Sequence, residues 1–356
     1  MASTMLMYDR SRTRQTGLLS EAYKEFKTHM AAMKFGVFVP QGWKMDLAGF
    51  ADPIAQFEAM TNVAKAADGG SWDSIWVFDH FHTVPTPTQN SVFESWTISA
   101  TLARDTKNVN VGQMVNCNGY RNPALFAKIA STVDAASHGR LYAGYGAGWY
   151  EHEWKAYGYG FPETKERMAA FKEGVQIIHK MWTEDKPTFS GTYYSIDEPI
   201  NEPKSARPGR KVPLWIGGGG EKVTLRLVAQ YGDACNVGGG DAAVIKEKLE
   251  VLQGHCEREG RDYREITRST GFNVYPIAPG EDAEKKTVRL RETMGNVSYA
   301  DFAKGHLVGT VDDINERIQA GIDAGADYGI IYIPGLAYDL EPLQMFEEGV
   351  IAKLGS

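Results

Sequence analysis
From residue 33 onward, apolar runs of strand length alternate with segments whose apolar positions recur at helical spacing. The strand-like runs are "KFGVFV", "SIWVF", "VNVGQMV", "RLYAGYG", "PLWIGG", "DACNV", "RSTGFNVYPIA" and "YGIIYI". Between them the periodicity predicts helices over 53–68, 92–105, 124–137, 165–182, 221–231, 241–259 and 311–324, with a last helix over 341–353. The strands are apolar nearly throughout, as parallel strands covered on both faces must be. Eight strands, each followed by a helix, suggest an α/β fold of the (β/α)8 TIM-barrel type with loop insertions, since doubly wound sheets usually have fewer strands.

Two stretches interrupt the rhythm. Residues 183–211 are Pro-rich and contain the hairpin-like "TFSGTYYSI", and residues 278–305 are rich in charge. Neither is long enough for a further domain, so both read as insertions in barrel loops of a single domain over 33–356. Residues 1–32 are polar, lack the apolar core of a signal peptide and carry acids unlike a transit peptide, so they read as a tail to which no function is given.

Composition narrows the choice of function. The chain has 356 residues and a formal net charge of -7, so nothing favours nucleic acid or an anionic membrane as partner. No apolar stretch approaches the ~20 residues that cross a bilayer. The three cysteines form no CxxC pair, which suggests reduced thiols and a cytoplasmic protein.

Chemistry is expected where barrel strands end, because the loops after their C-termini build the site. "SIWVF" runs directly into Asp79, His80, Phe81 and His82. An imidazole beside a carboxylate suits general acid–base work near neutral pH, although an Asp capping a loop next to a packed histidine would look the same. "RLYAGYG" leads into "AGWYEHEW", whose glycines let backbone approach a flat ligand and whose His152 and Glu153 lie near the mouth. The spacing is not that of a dinucleotide fingerprint. Gly217, Gly218, Gly219 and Gly220 join a buried strand to an amphipathic helix. Unhindered N–H groups at a helix start can cradle a phosphate, a reading favoured over the alternative of a structural turn because a run of four glycines is costly in entropy. Trp43, Phe81, Tyr120 and Trp149 are candidate pocket walls or ordinary core aromatics. His80 and His82 find no third ligand in sequence, and no HExxH or nucleophile elbow is present, so no metal site is expected.

Four segments in order, "SIWVFDHF", "VGQMVNCNGYRNPALFAKIASTVDAASHGRLYAGYGAGWYEHEWKAYGYGFP", "RMAAFKEGVQIIHKMWTEDKPTFSGTYY" and "PLWIGGGGEKVTLRLVAQYGDACNV", resemble the luciferase-like monooxygenase superfamily. Within it the chain is most similar to the branch that uses the deazaflavin coenzyme F420. The resemblance implies a TIM barrel with a non-prolyl cis peptide on the third strand, here between Met114 and Val115, with Asn116 next along. It implies that Asp79 hydrogen-bonds the cofactor ring and that His80 is the acid/base. Gly146, Ala147 and Gly148 would face the cofactor, and the tetraglycine would hold its phosphate. Asn116 and Cys117 stand where members commonly have threonine and glycine. Trp149 stands where sugar-phosphate dehydrogenases of the superfamily place a catalytic glutamate, so a second acid would have to be Glu151 or Glu153. The candidate catalytic set is therefore His80, Asp79 and Glu153, and the candidate cofactor contacts add His152.

The expected function is an oxidoreductase that transfers a hydride between coenzyme F420 and a small organic substrate. The alternative is an FMN-dependent monooxygenase that uses molecular oxygen and reduced flavin from a partner reductase. A flavin or F420 reductase is then a possible partner, and family precedent suggests a homodimer. A non-catalytic flavin-binding barrel is the remaining class, and it would tolerate loss of His80.

Overall fold
The computed structural model describes residues 33–207 and 209–356, so the tail expected over 1–32 lies outside the described residues. Met33–Gly355 forms one compact unit. Its centre is a closed ring of eight parallel strands: β1 Lys34–Phe38, β2 Ser74–Val77, β3 Asn110–Gln113, β4 Leu141–Gly146, β5 Leu214–Gly217, β6 Ala234–Asn236, β7 Thr267–Pro276 and β8 Tyr328–Tyr332. Neighbours in sequence pair in order, and β8 returns to β1 in the register Lys34↔Tyr328 and Val37↔Ile331. This is the (β/α)8 barrel that the alternation predicts.

The barrel closes because its interior is filled. Trp76, Trp215 and Tyr328 point inward and pack on Phe38, Phe78, Ile330 and Tyr332, with the Trp76 and Trp215 rings edge to face at 4.8 Å. Bulky inward residues from several strands make such a barrel a packed core rather than a pore. The next free space is therefore at the rim.

Helix starts follow local capping chemistry. Asp52, Asn122 and Asp241 accept N–H groups at the starts of Pro53–Asp68, Pro123–Ala136 and Ala242–Glu259. The helix expected from residue 92 begins at Ser95, because Glu94 caps it by accepting from the Trp96 and Thr97 N–H groups. The helix expected from residue 221 begins at Thr224, and no side chain caps it. Thr310 and Asp313 form a capping box on Val311–Asp323. The stretch 183–211 holds the antiparallel hairpin Thr188–Ser190 with Ser195–Asp197. The charged stretch expected as a loop contains the short helices Ala283–Lys286, Val288–Thr293 and Tyr299–Gly305. Among the described residues, no helix is long and apolar enough to cross a membrane.

Candidate active site
A cavity of about 850 Å³ opens at the C-terminal rim, lined by residues that follow β1 to β6. The arrangement is set by where each strand stops. β2 ends at Val77, so Asp79 and His80 emerge at the mouth. β3 ends at Gln113, and the Met114–Val115 peptide that follows it is cis, as the resemblance implies.

Val115 is the hub of that edge. A Cβ on Gly146 would lie 2.5 Å from its Cγ2, and one on Gly217 would lie 2.7 Å from its Cγ1. Only residues without side chains let β4 and β5 close in on the cis segment. Gly218 has φ +113, a conformation that side chains rarely adopt. Gly218, Gly219 and Gly220 then lead to the uncapped start of the helix Thr224–Tyr231. Lys222 and Lys248 line the same end, where Lys248 pairs with Glu221 and, at 3.2 Å, with Glu247. Open N–H groups, glycine backbone and two cations suit an anionic tail.

At the other end, His80 is held from three sides. Its Nδ1 lies 2.8 Å from Glu153 Oε2. Trp43 stacks on its face at 4.2 Å and 4° from parallel, and Trp149 meets it edge-on at 5.7 Å. Glu153 is fully buried and accepts three further hydrogen bonds, each of 2.8 Å: the Phe81 and His82 N–H groups on Oε1 and the Tyr120 hydroxyl on Oε2. Burial alone would raise the Glu153 carboxyl. The His80 hydrogen bond and charge, then the His82 N–H and the Tyr120 hydroxyl, outweigh it and hold the group below the usual glutamate value. An ionised Glu153 can only accept, so in the neutral imidazole the proton of His80 sits on Nδ1 and Nε2 carries the lone pair.

The Asp79 carboxylate is committed elsewhere. Oδ1 accepts from Ser95 Oγ at 2.8 Å and Arg121 Nη2 at 3.0 Å. Oδ2 accepts from the Cys117 N–H at 2.8 Å and Arg121 Nη1 at 2.7 Å. Four donors fill a carboxylate's acceptor positions. Asp79 lines the cavity, yet its oxygens are spent on holding the backbone just beyond the cis peptide. That geometry runs against the expected contact between Asp79 and a cofactor ring. Arg121 reaches Glu94 as well, and the two acids outweigh burial to keep the guanidinium charged. Burial, reinforced by the charge of Asp79, pushes the Cys117 thiol up, so it is no nucleophile.

The cavity thus brings together Asp79, His80, Met114, Val115, Gly146, Ala147, Gly148 and the tetraglycine Gly217 to Gly220. Three other expected residues stay outside it. Glu153 touches it only through His80 and Tyr120. His152 turns outward and meets His82 at 3.1 Å, because neighbours on the short helix Glu151–Ala156 point about 100° apart and Glu153 takes the inward position. Asn116 is buried behind Val115, bonded to Trp96 Nε1 and Arg121 Nη1, since successive strand residues face opposite sides. Glu151 pairs with Lys155 at the surface. Arg121 and Ser95 were not legible as site residues, because nothing local links them to Asp79. Among the described residues, no group of three His, Cys, Asp or Glu could hold a metal ion.

A family model for luciferase-like monooxygenases matches residues 33–307. This chain belongs to that family. It is an oxidoreductase with a luciferase-like barrel. Its relatives include the F420-dependent glucose-6-phosphate dehydrogenase of Kineococcus radiotolerans, 27% identical over 304 residues that cover 78% of this chain and 87% of that protein. The enzyme of the same name from Amycolatopsis mediterranei is 28% identical over 324 residues, 83% of this chain and 94% of its own. Among solved structures, an F420-dependent secondary alcohol dehydrogenase in complex with an F420–acetone adduct matches with TM-score 0.71 at 20% identity, over 90% of this chain and 99% of that one. The oxygenating constituent of 3,6-diketocamphane monooxygenase from Pseudomonas putida, in complex with FMN, matches with TM-score 0.69 at 19% identity, over 91% and 99%. Such structures speak for the fold of this luciferase-like chain.

Proposed function
We propose that this luciferase-like protein transfers a hydride between coenzyme F420 and a carbinol or carbonyl carbon of a small organic substrate, with His80 exchanging the proton. The observation that carries this reading is His80, held from behind by the buried Glu153, lining the same cavity as Val115 and the tetraglycine. The residues present fit the cofactor. Val115 with Gly146 and Gly217 offers a close backbone edge for a flat ring, and the Gly219 to Gly220 end, with Lys222 beside it, offers an open backbone and a cation for an anionic tail. When bound there, the deazaflavin supplies the two-electron hydride acceptor or donor.

The rest is done by the chain. Glu153 fixes the tautomer and orientation of His80, so Nε2 faces the cavity as a base. As a substrate alcohol loses hydride from carbon, Nε2 takes the hydroxyl proton, and the imidazolium is stabilised by Glu153. In the reverse direction the same nitrogen returns the proton to the oxygen of the reduced carbonyl. General acid–base help of this kind contributes roughly 10²- to 10⁴-fold. Trp43, Phe78, Trp149, Tyr150 and Met168 wall the cavity and limit water beside His80.

The alternative, FMN with oxygen and a partner reductase, is separated by direct titration. The purified chain is expected to bind F420 at micromolar or tighter concentration, and its reduced complex is expected to persist in air. Tight FMN binding with none for the deazaflavin would reverse the assignment.

A further inference from the structure
Trp149 leaves bare apolar surface beside His80. It is 61% exposed, and of the described large apolar side chains that stand exposed, only Trp149 lines the cavity. Its indole stacks on Tyr150 at 5.2 Å and 22° from parallel, and it meets the His80 ring edge-on at 5.7 Å. Tyr150 is itself anchored, because its hydroxyl donates to the Thr83 carbonyl at 3.2 Å and its ring packs against His80 at 5.8 Å. A tyrosine thus backs the indole, and much of the remaining indole surface is open next to the acid–base residue.

Charge is distributed unevenly along the cavity. Besides His80, its charged lining residues are Asp79, Glu221, Lys222 and Lys248. The oxygens of Asp79 already hold four donors. Glu221 and Lys222 directly follow Gly220, and the Lys248 stem lies 3.7 Å from where a Cβ on Gly219 would stand, so these three belong to the tetraglycine end. The lining around His80 is aromatic instead: Trp43 stacks on it, Phe78 lies 4.2 Å from Trp43, and Trp149 and Tyr150 meet its edges. An anionic group set among these four rings would give up hydration with no cation in that part of the lining to replace it. A flat apolar group would cover the open indole, removing apolar surface from water and gaining the offset or edge-to-face contact that aromatic rings prefer.

We infer that the substrate is an uncharged alcohol or carbonyl compound in which a flat aromatic or conjugated ring adjoins the reacting carbon, and that this ring lies on Trp149 while the oxygen turns to His80. This deepens the proposed function and rests on it for the reaction. In the oxidative direction the C–H bond of the carbinol breaks as hydride passes to the deazaflavin, the hydroxyl proton goes to His80 Nε2, and the C=O bond forms. A ring beside that carbon favours the step, because the new carbonyl is conjugated with it.

Two measurements test it. In the first, F420-loaded enzyme is given benzyl alcohol, its saturated counterpart cyclohexylmethanol and the anionic glucose 6-phosphate, and loss of the oxidised deazaflavin band is followed. Benzyl alcohol is expected to have the highest kcat/KM of the three. Trp149→Ala is expected to lower kcat/KM for benzyl alcohol, relative to cyclohexylmethanol, by about threefold to tenfold, the size of one aromatic pair contact, and chiefly through KM. Trp149→Phe keeps a flat ring and is expected to recover part of that loss. Preference for the saturated alcohol or for glucose 6-phosphate, or equal losses on both alcohols, overturns the inference. In the second, calorimetry measures the binding of acetophenone and of cyclohexyl methyl ketone to the purified chain, with and without F420. Saturable acetophenone binding that is tighter than that of the saturated ketone, and that Trp149→Ala weakens, supports the subsite even if no alcohol turns over, in which case the proposed reaction has failed separately. No saturable acetophenone binding, or an affinity that Trp149→Ala leaves unchanged, sinks the subsite.

Discussion

The indole of Trp43 lies flat on the imidazole of His80, with ring centroids 4.2 Å apart and planes 4° from parallel. A residue from the loop after β1 thereby sets the pose of one after β2. The contact explains why an imidazole at a loop position can act with a fixed geometry. Trp43→Ala is expected to cost about 3 to 5 kcal/mol in stability, the usual loss for a buried tryptophan. It is also expected to lower kcat more than it weakens cofactor binding. Urea unfolding and steady-state kinetics read the two effects, and an unchanged kcat would show that the stack does not orient His80.

His80→Ala removes the imidazole that exchanges the proton in the proposed reaction. The expected result is a fall in kcat of roughly 10²- to 10⁴-fold. The dissociation constant for F420, measured by fluorescence, is expected to stay within a few fold. A variant with full activity would show that His80 does not exchange the proton.

Glu153→Gln keeps shape and removes charge, and its effect has a pH signature. The folded protein holds this carboxyl below its ordinary value. A group depressed on folding contributes stability that is present above its unfolded value of about 4.3 and is lost as pH falls through the folded value. The wild type is therefore expected to exceed Glu153→Gln in unfolding free energy at neutral pH, and the two are expected to converge in acid. Equal curves at all pH values would mean that the carboxylate carries no net interaction. The same variant is expected to lower kcat because the amide no longer dictates the His80 tautomer.

Gly218→Val forces a branched side chain into φ +113. It is expected to weaken F420 binding by tenfold or more, with a stability loss of about 1 to 3 kcal/mol from backbone strain. Isothermal titration and thermal melts separate the two. Unchanged affinity would remove the tetraglycine from the cofactor site.

Arg121→Met isolates the buried Asp79 carboxylate, which would keep two of its four donors. Removing one partner of a buried ion pair costs about 3 to 5 kcal/mol. Adding Asp79→Asn to that variant is expected to recover part of the loss. A second substitution that only adds to the first would argue that Asp79 is neutral in the folded chain.

What was legible from the chain alone follows from short-range physics. Alternating apolar runs dictate eight strands, because a strand covered on both faces must be apolar throughout. Helical periodicity places the long helices' starts within a few residues of where they occur. A four-glycine run announces an exposed backbone edge, and an Asp-His pair at a strand end announces a candidate site. Tertiary structure decided the rest. The roles of Asp79 and Glu153 depend on partners 42 and 73 residues away, Arg121 and His80. One carboxylate is spent on scaffolding and the other on aiming an imidazole. Whether His152 or Glu153 turned inward depended on the rotation of a helix six residues long, which no local preference sets. Lys44 lies over Tyr332, Phe78 and Trp43 only because the barrel brings three separate segments together. Local sequence carries periodicity and backbone freedom, whereas charge pairing and burial exist only once distant segments meet.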